Sequence, residues 1–474
     1  MRDLMRRTMA EQAALIRSGE VSAAEMVEAA IAEIERLNPR LNAVVIPMFE
    51  QARAALADLR EEQPFAGVPM LLKDVLAEYA GAPMTEGSRF LQGYVSPRDS
   101  ELTARYRRAG FIVCGKTNSP EFASKPTTEP ELYGPSRNPW DLERTPGGSS
   151  GGSGAAVAAG MVSVAHANDG GGSTRIPAAL CGLVGLKGTR GRNPLGPEYG
   201  DIGGAGLISE HVVTRTVMDS ALMLDVTAGA DPGAPYFPPP PQRPFAAEVG
   251  AEPGRLRIAF SAAPCLPVAV DPACEWGLRE IAALCESLGH DVEEARPEVS
   301  TEHFQDAFTT VWLGMVGWMV KDWQARTGRM PGPDSFERHT AKMLAYDASR
   351  NPSDYVLALN ELQRFSRQAA PFFARYDVWL TPTAPGPAPP LGWFDYDPSA
   401  PHQATERMEQ FPRFTAFANV TGQPAISLPL CWSKDGLPIG MQFIGRYADE
   451  ATLFRLAAQL ESARPWAHRW PALD

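Results

Sequence analysis

The chain has 474 residues, 44% of them hydrophobic and 21% charged, with a formal net charge of −12. That length and apolar content support a large buried core. The acidic balance excludes recognition of nucleic acid through its phosphates, which needs clustered lysine and arginine.

The N-terminal segment, residues 1–40, reads as helical. Thr8-x-x-Glu11 and Ser22-x-x-Glu25 each fit a capping box followed by apolar residues at helical spacing. Leu15 and Ile16 are assigned to the buried face of the first helix, and Met26, Ala29, Ala30, Ile34 and Leu37 to that of the second. Asn38-Pro39 predicts the end of the second helix, and 43–48 (AVVIPM) predicts a buried strand. The opening MRDLMRRTMAEQ has no apolar signal core. The longest apolar run, 308–320, falls short of the about 20 residues a membrane span needs. A cytoplasmic protein without membrane association is expected.

A short apolar run over 68–72 (VPMLL) delivers Lys73 and Asp74 at its end. A helix over 100–109 and a strand over 111–114 follow. Residues 145–160 pass from glycine and serine into alanine, which predicts a tight turn feeding a buried helix rather than a polar linker. Proline clusters punctuate 231–244 and 381–390, and the first separates a motif-bearing part, about 60–230, from a C-terminal part, about 250–474. That part opens with a strand over 256–260, a helix over 272–288 stopped by Gly289, and a strand over 291–294. The rhythm predicts a layered α/β architecture, organised as one large unit over 1–474. The six cysteines, Cys114, Cys181, Cys265, Cys274, Cys285 and Cys431, follow neither metal-ligand nor disulfide-framework spacing. No metal and no cofactor are expected.

Three patterns bear on chemistry. The segment 147–152 (GGSSGG) contains overlapping GxSxG matches, but a nucleophile elbow also needs a histidine base. His166, His211, His290, His303, His339, His402 and His468 all follow it, none in a distinctive loop. The segment 110–117 (GFIVCGKT) matches GxxxxGK[ST], yet FIVC is apolar and extended where a phosphate-binding loop requires an open turn. The third pattern joins Ser149, in PGGSSGGS, to Ser173, in NDGGGSTRIP, with Lys73 upstream. Three glycines before Ser173 leave amides free to converge on an oxyanion, and a lysine ending a buried run loses its proton readily. On these residues alone, pairing of Lys73 with Asp74 or Asp169 remains the alternative.

These segments resemble the amidase signature family. The likeness lies in Gly67-Val-Pro-Met-Leu-Leu-Lys73-Asp74, GGSSGGS at 147–153 and NDGGGSTRIP at 168–177, supported by GKTNSPEF, SRNPWDLERTPGG, CGLVGLK, FANVTGQPAISLPL and GLPIGMQFIG. It covers nearly the whole chain and is weakest over about 230–375. The resemblance implies a large twisted mixed β-sheet covered by helices on both faces, and a catalytic triad of Ser173, Ser149 and Lys73. It also implies a cis peptide bond before Ser149 and an oxyanion hole from the amides of Gly170, Gly171, Gly172 and Ser173. Asp169, Arg175 and Ser150 are implied as supporting residues, and Thr128 and Asn419 as neighbours of the acyl group. Within the family, the stretches AVVIPMFEQAR, PFAGVPMLLKD, TTEPELYGPSRNPWDLER and VAHANDGGGSTRIPA are similar to the 6-aminohexanoate cyclic-dimer hydrolases. Similar bacterial members act on aryl amides and carbamates.

The expected partner is therefore a small-molecule amide or carbamate, and the expected assembly a monomer or homodimer. A roomy apolar pocket is expected from the aromatic and Met-rich stretches 311–320, 372–373 and 393–394. The departures from the family pattern are Gly170 in place of a larger residue, Lys187-Gly188-Thr189, and Pro130 after Glu129. Gly170 is expected to widen the oxyanion loop. The rival readings are a glutaminase-type subunit of a tRNA-dependent amidotransferase and, behind it, a P-loop nucleotide-binding protein.

Overall fold

Eleven strands join into one mixed sheet in the computed structural model, which describes residues 2–201 and 203–473. In chain order they are β1 (Val44–Pro47), β2 (Pro69–Lys73), β3 (Ile112–Thr117), β4 (Val164–Asp169), β5 (Val184–Lys187) and β6 (Ser209–Thr214). The C-terminal part adds β7 (Arg257–Phe260), β8 (Asp291–Glu294), β9 (Val378–Pro382), β10 (Ala425–Trp432) and β11 (Pro438–Gly445). Across the sheet they run β1-β3-β2-β4-β6-β5-β10-β11-β9-β7-β8. Pairing is parallel on both sides of β2 and of β7, and antiparallel from β4 through β9. Residues 1, 202 and 474 of the expected unit lie outside the described residues.

Helices cover both faces, so the central strands are buried on each side; β2 reads as a nearly continuous apolar run, whereas β4 and β6 carry polar side chains into the interior. In β2, Leu71 packs against helices Ala23–Leu41 and Gly151–Ala159, whereas Met70 and Leu72 pack with Tyr106, Phe111 and Met223 on the other side. No helix among the described residues is long and apolar enough to cross a membrane.

Local expectations hold with two corrections. Both capping boxes form, at Thr8 and Ser22. The first helix buries Met9, Gln12 and Ala13, while Leu15 and Ile16 are only half-buried. The cause is docking through its first turn, where the Met9 and Ala10 amides donate to the buried Asp219 carboxylate. The second helix does not stop at Pro39 but continues to Leu41. Proline removes one donor there; the stop comes from Asn42 in the left-handed region (φ 46°) and from Asn38, whose side chain accepts from the Ala43 and Val44 amides. The GKT of the P-loop match, Gly115 to Thr117, lies inside β3 and supplies no phosphate-binding turn.

Candidate active site

β2 is apolar until its last residue, so the sheet carries Lys73 into the interior, where it is 0% exposed. Its Nζ donates to Ser149 Oγ at 2.8 Å and to Asn168 Oδ1 at 2.5 Å. Burial pushes the ammonium down to about 7, against the opposing pull of Glu210, Asp169 and Glu86. Neither carboxylate of the alternative pairing takes this lysine. Asp74 accepts from the Thr85 amide and hydroxyl and lies 3.9 Å from Lys116. Asp169 is held by Arg175 at 2.8 and 2.9 Å.

Ser149 and Ser150 stand at the start of the buried helix Gly151–Ala159, and the Gly148–Ser149 bond is cis. A Cβ on Gly148 would strike the Thr127 backbone, so only glycine fits the approach. Ser149 is 0% exposed and Ser173 8%, which makes Ser173 the hydroxyl a ligand reaches. Both serines line a small cavity of about 40 Å³ with Asn168 and Gly170, and Ser173 and Gly171 also line a larger one of about 340 Å³. No hydrogen bond joins the two hydroxyls among the described residues; such contacts commonly tighten only when substrate is bound.

The turn before Ser173 is fixed through its carbonyls. Gly171 O accepts from Thr415 Oγ1 at 2.6 Å, Gly172 O from the Ile176 amide at 2.7 Å, and Ser173 O from the Ser150 amide at 3.3 Å. The amides of Gly170, Gly171, Gly172 and Ser173 donate to no protein acceptor among the described residues. Gly172 has φ 138°, and a Cβ there would collide with Thr415. Beneath the turn, Asp169 accepts from the Thr174 and Arg175 amides and from Asn419 Nδ2. Burial alone would raise the Asp169 carboxyl, but the Arg175 charge and these hydrogen bonds hold it at about 2. Ser150 Oγ donates to Asn168 O at 3.3 Å.

Two expected neighbours of the acyl group sit elsewhere. Thr128 accepts from the Gly151 amide and donates to Gly147 O, so it braces the serine turn. Asn419 bridges Arg175, Asp169 and Leu207 O, and neither residue lines either cavity. The large cavity is instead walled by Phe304, Phe308 and Trp312, one turn apart on helix Phe304–Thr327, with ring centroids 5.9 and 6.0 Å apart. Of the aromatic stretches, only 311–320 contributes; Phe372–Phe373 and Trp393–Phe394 pack into the core. Nor does Gly170 widen the turn, because the Trp312 ring fills the space, 3.3 Å from where a Cβ would lie. Sequence reasoning missed Asn168, set His166 aside among the seven histidines, missed Glu210, and took Trp312 only as part of the aromatic stretch 311–320. Period-two alternation along 164–169 was the available signal for the first two, since residues i and i+2 of a strand share a side.

A family model described as "Amidase" matches residues 25–454. The chain belongs to the amidase signature family. This amidase is 39% identical over 477 residues to a 6-aminohexanoate-cyclic-dimer hydrolase of Paenarthrobacter ureafaciens, covering 98% of this chain and 96% of the relative. Its fold superposes on a solved 6-aminohexanoate cyclic dimer hydrolase complexed with substrate at TM-score 0.94 and 38% identity, covering 99% of both chains. A bacterial aryl acylamidase follows at TM-score 0.86 and 26% identity, covering 97% of both. The amidase is thus an amide hydrolase related to the cyclic-dimer hydrolases.

Its turn depends on a paired charge. Arg175→Met leaves the Asp169 carboxylate buried without its cation and is expected to destabilise the fold by about 3–5 kcal/mol, read by chemical denaturation. A loss below about 1 kcal/mol would show that Asn419 and the amides suffice.

Proposed function

We propose that this amidase cleaves amide C–N bonds with Ser173 as nucleophile, Ser149 as proton carrier and Lys73 as base. The observation that carries the reading is the 2.8 Å contact between Lys73 Nζ and Ser149 Oγ in a fully buried setting. A serine hydroxyl is a weak nucleophile until a base takes its proton. Neutral Lys73 removes the Ser149 proton as Ser149 removes that of Ser173, and Ser173 Oγ bonds to the carbonyl carbon. Negative charge gathers on the carbonyl oxygen, where the unengaged amides of Gly170, Gly171, Gly172 and Ser173 receive it. Collapse breaks the C–N bond, and the proton returns through Ser149 to the departing nitrogen. Water then repeats the sequence on the acyl-enzyme and releases the acid. Asp169, Arg175, Asn419 and Thr128 hold the two turns in place and touch no reacting atom.

The substrate class follows from the cavity walls. About 340 Å³ lined by Ile176, Phe304, Phe308, Trp312 and Phe365 suits a largely apolar amide. Linear or cyclic aminohexanoate-type oligomers and aryl amides meet that description, in line with the relatives above. A carbamate offers the same carbonyl to the same nucleophile. Charged side chains, among them Lys125, Lys342, Glu409 and Arg413, also line the cavity, so free glutamine is the control that separates this reading from a glutaminase subunit: turnover of glutamine in preference to the apolar amides would favour the subunit.

Hydrolysis of a p-nitroanilide, an aminohexanoate oligomer and an aryl carbamate by wild type and Ser173→Ala tests the assignment. The variant is expected to lose activity by at least about a thousandfold on whichever substrates the wild type cleaves. Retained activity would remove Ser173 from the mechanism. The pH profile tests the base: Lys73 acts only when neutral, so kcat/KM is expected to fall about tenfold per pH unit below about 7 and to level off above it. A profile flat from pH 5 to 8, the window spanning that value, would exclude Lys73 as the base. Gly170→Ala pushes a methyl toward Trp312 and is expected to reduce kcat/KM, with Trp312→Phe in the same chain restoring part of the loss. Strict additivity of the two changes would separate Trp312 from the turn.

A further inference from the structure

Three neighbouring strands carry a buried chain of hydrogen bonds that the relay above does not use. The Lys73 amide on β2 donates to His166 Nδ1 on β4 at 3.2 Å. His166 Nε2 in turn makes a short contact with Glu210 Oε2 on β6. A ring that accepts at Nδ1 carries its proton on Nε2, so the imidazole donates to the carboxylate. Lys73 and His166 are 0% exposed and Glu210 4%, so water does not mediate this chain from outside. The other contacts hold it still: Asn193 Nδ2 donates to Glu210 O at 2.6 Å, and Tyr106 packs edge-on against the imidazole at 6.3 Å.

The arrangement interrupts the sheet. β2 and β4 share one register pair, Leu71 with Ala165, and two residues later the Lys73 amide goes to the imidazole. A backbone carbonyl would satisfy that amide without burying an ionisable pair, whose desolvation is unfavourable. The charges around Lys73 show what the pair adds. Asp169 is neutralised by Arg175, and Lys116 on β3 faces Asp74. Burial pushes the Glu86 carboxyl up to about 8, so it carries little charge at neutral pH. Glu210 has no lysine or arginine partner among the described residues, and its second oxygen, Oε1, accepts no hydrogen bond.

We infer that Glu210 and His166 are a positioning pair for Lys73: the imidazole fixes the strand end from which Nζ reaches Ser149, and the carboxylate biases that Nζ toward holding a proton. The inference rests on the proton-relay reading above. It explains how a lysine in so apolar a strand keeps its affinity for a proton near neutrality, where a relay base must both accept and return one.

The test uses two pH profiles of the full-length protein: kcat/KM on a neutral anilide, and the rate at which a sulfonyl fluoride modifies Ser173, which needs the same base but no turnover. Glu210→Gln is expected to move both acid limbs to lower pH by about half to one unit, with KM unchanged. His166→Leu removes the acceptor of the Lys73 amide and is expected to lower kcat at constant KM, with His166→Gln restoring part of it. Should Glu210→Gln not fold, Glu210→Met, which also removes the carboxylate, is expected to shift the limb the same way. Acid limbs that superimpose on wild type in whichever variant folds would overturn the inference. Failure of wild-type Ser173 to react at all would instead strike the relay reading.

Discussion

A lysine side chain with no solvent exposure organises this molecule. The fall of the Lys73 ammonium from 10.5 to about 7 corresponds to roughly 5 kcal/mol against the charged form. Its two partners, Ser149 Oγ and Asn168 Oδ1, are neutral, so nothing at hydrogen-bond distance forces the proton to stay. Yet the site is not simply apolar, because Glu210 pulls the other way. The balance leaves the amine near neutrality, which is the range a group must occupy to take a proton and give it back.

That balance requires that the elements around Lys73 do not move, and β4 is where most of the restraint converges. His166 reaches the Lys73 amide, Asn168, two residues on, reaches its Nζ, and Asp169 at the strand end grips Arg175. Arg175 then ties the same strand to Thr415 O, Gln442 and Asn419 from the C-terminal part. Because Thr415 also holds Gly171 O, the turn before Ser173 is clamped from both halves of the sequence. A buried ion pair of this kind adds little net stability against an apolar replacement, but it defines one geometry, since either partner alone is a buried unpaired charge.

How much of this the sequence revealed depended on how local each signal was. The turn feeding the helix at Gly151, the strand that ends at Lys73 and the strand at 291–294 are written in contiguous runs, and they were legible. Segment ends were less so: Pro39 reads as a stop, but one missing donor does not outweigh the next two residues of helix before Asn42 turns the chain. Thr128 and Asn419 lie in motifs beside the site, and proximity in sequence suggested contact with a ligand. Their side chains instead satisfy buried backbone groups, a demand visible only once the turns are folded. Glu210 was invisible for a different reason. Its partner His166 lies 44 residues away, and only the antiparallel register of β4 with β6 brings them together.

The same division separates the proposed relay from the cavity wall. Lys73, Ser149 and Ser173 and the residues that hold them come mainly from 67–177, where the family likeness is strongest. The cavity wall comes largely from helix Phe304–Thr327 and from His339, Met343, Tyr346 and Phe365, in the stretch where that likeness is weakest. Trp312 is the point of contact between the two, since it lines both cavities and lies over Gly170 and Gly171. Glycine at 170 and an indole at 312 therefore form one feature read at two places in the chain. A larger residue at 170 would press on the indole at 312, so the space beside the turn is set by the pair rather than by the turn alone.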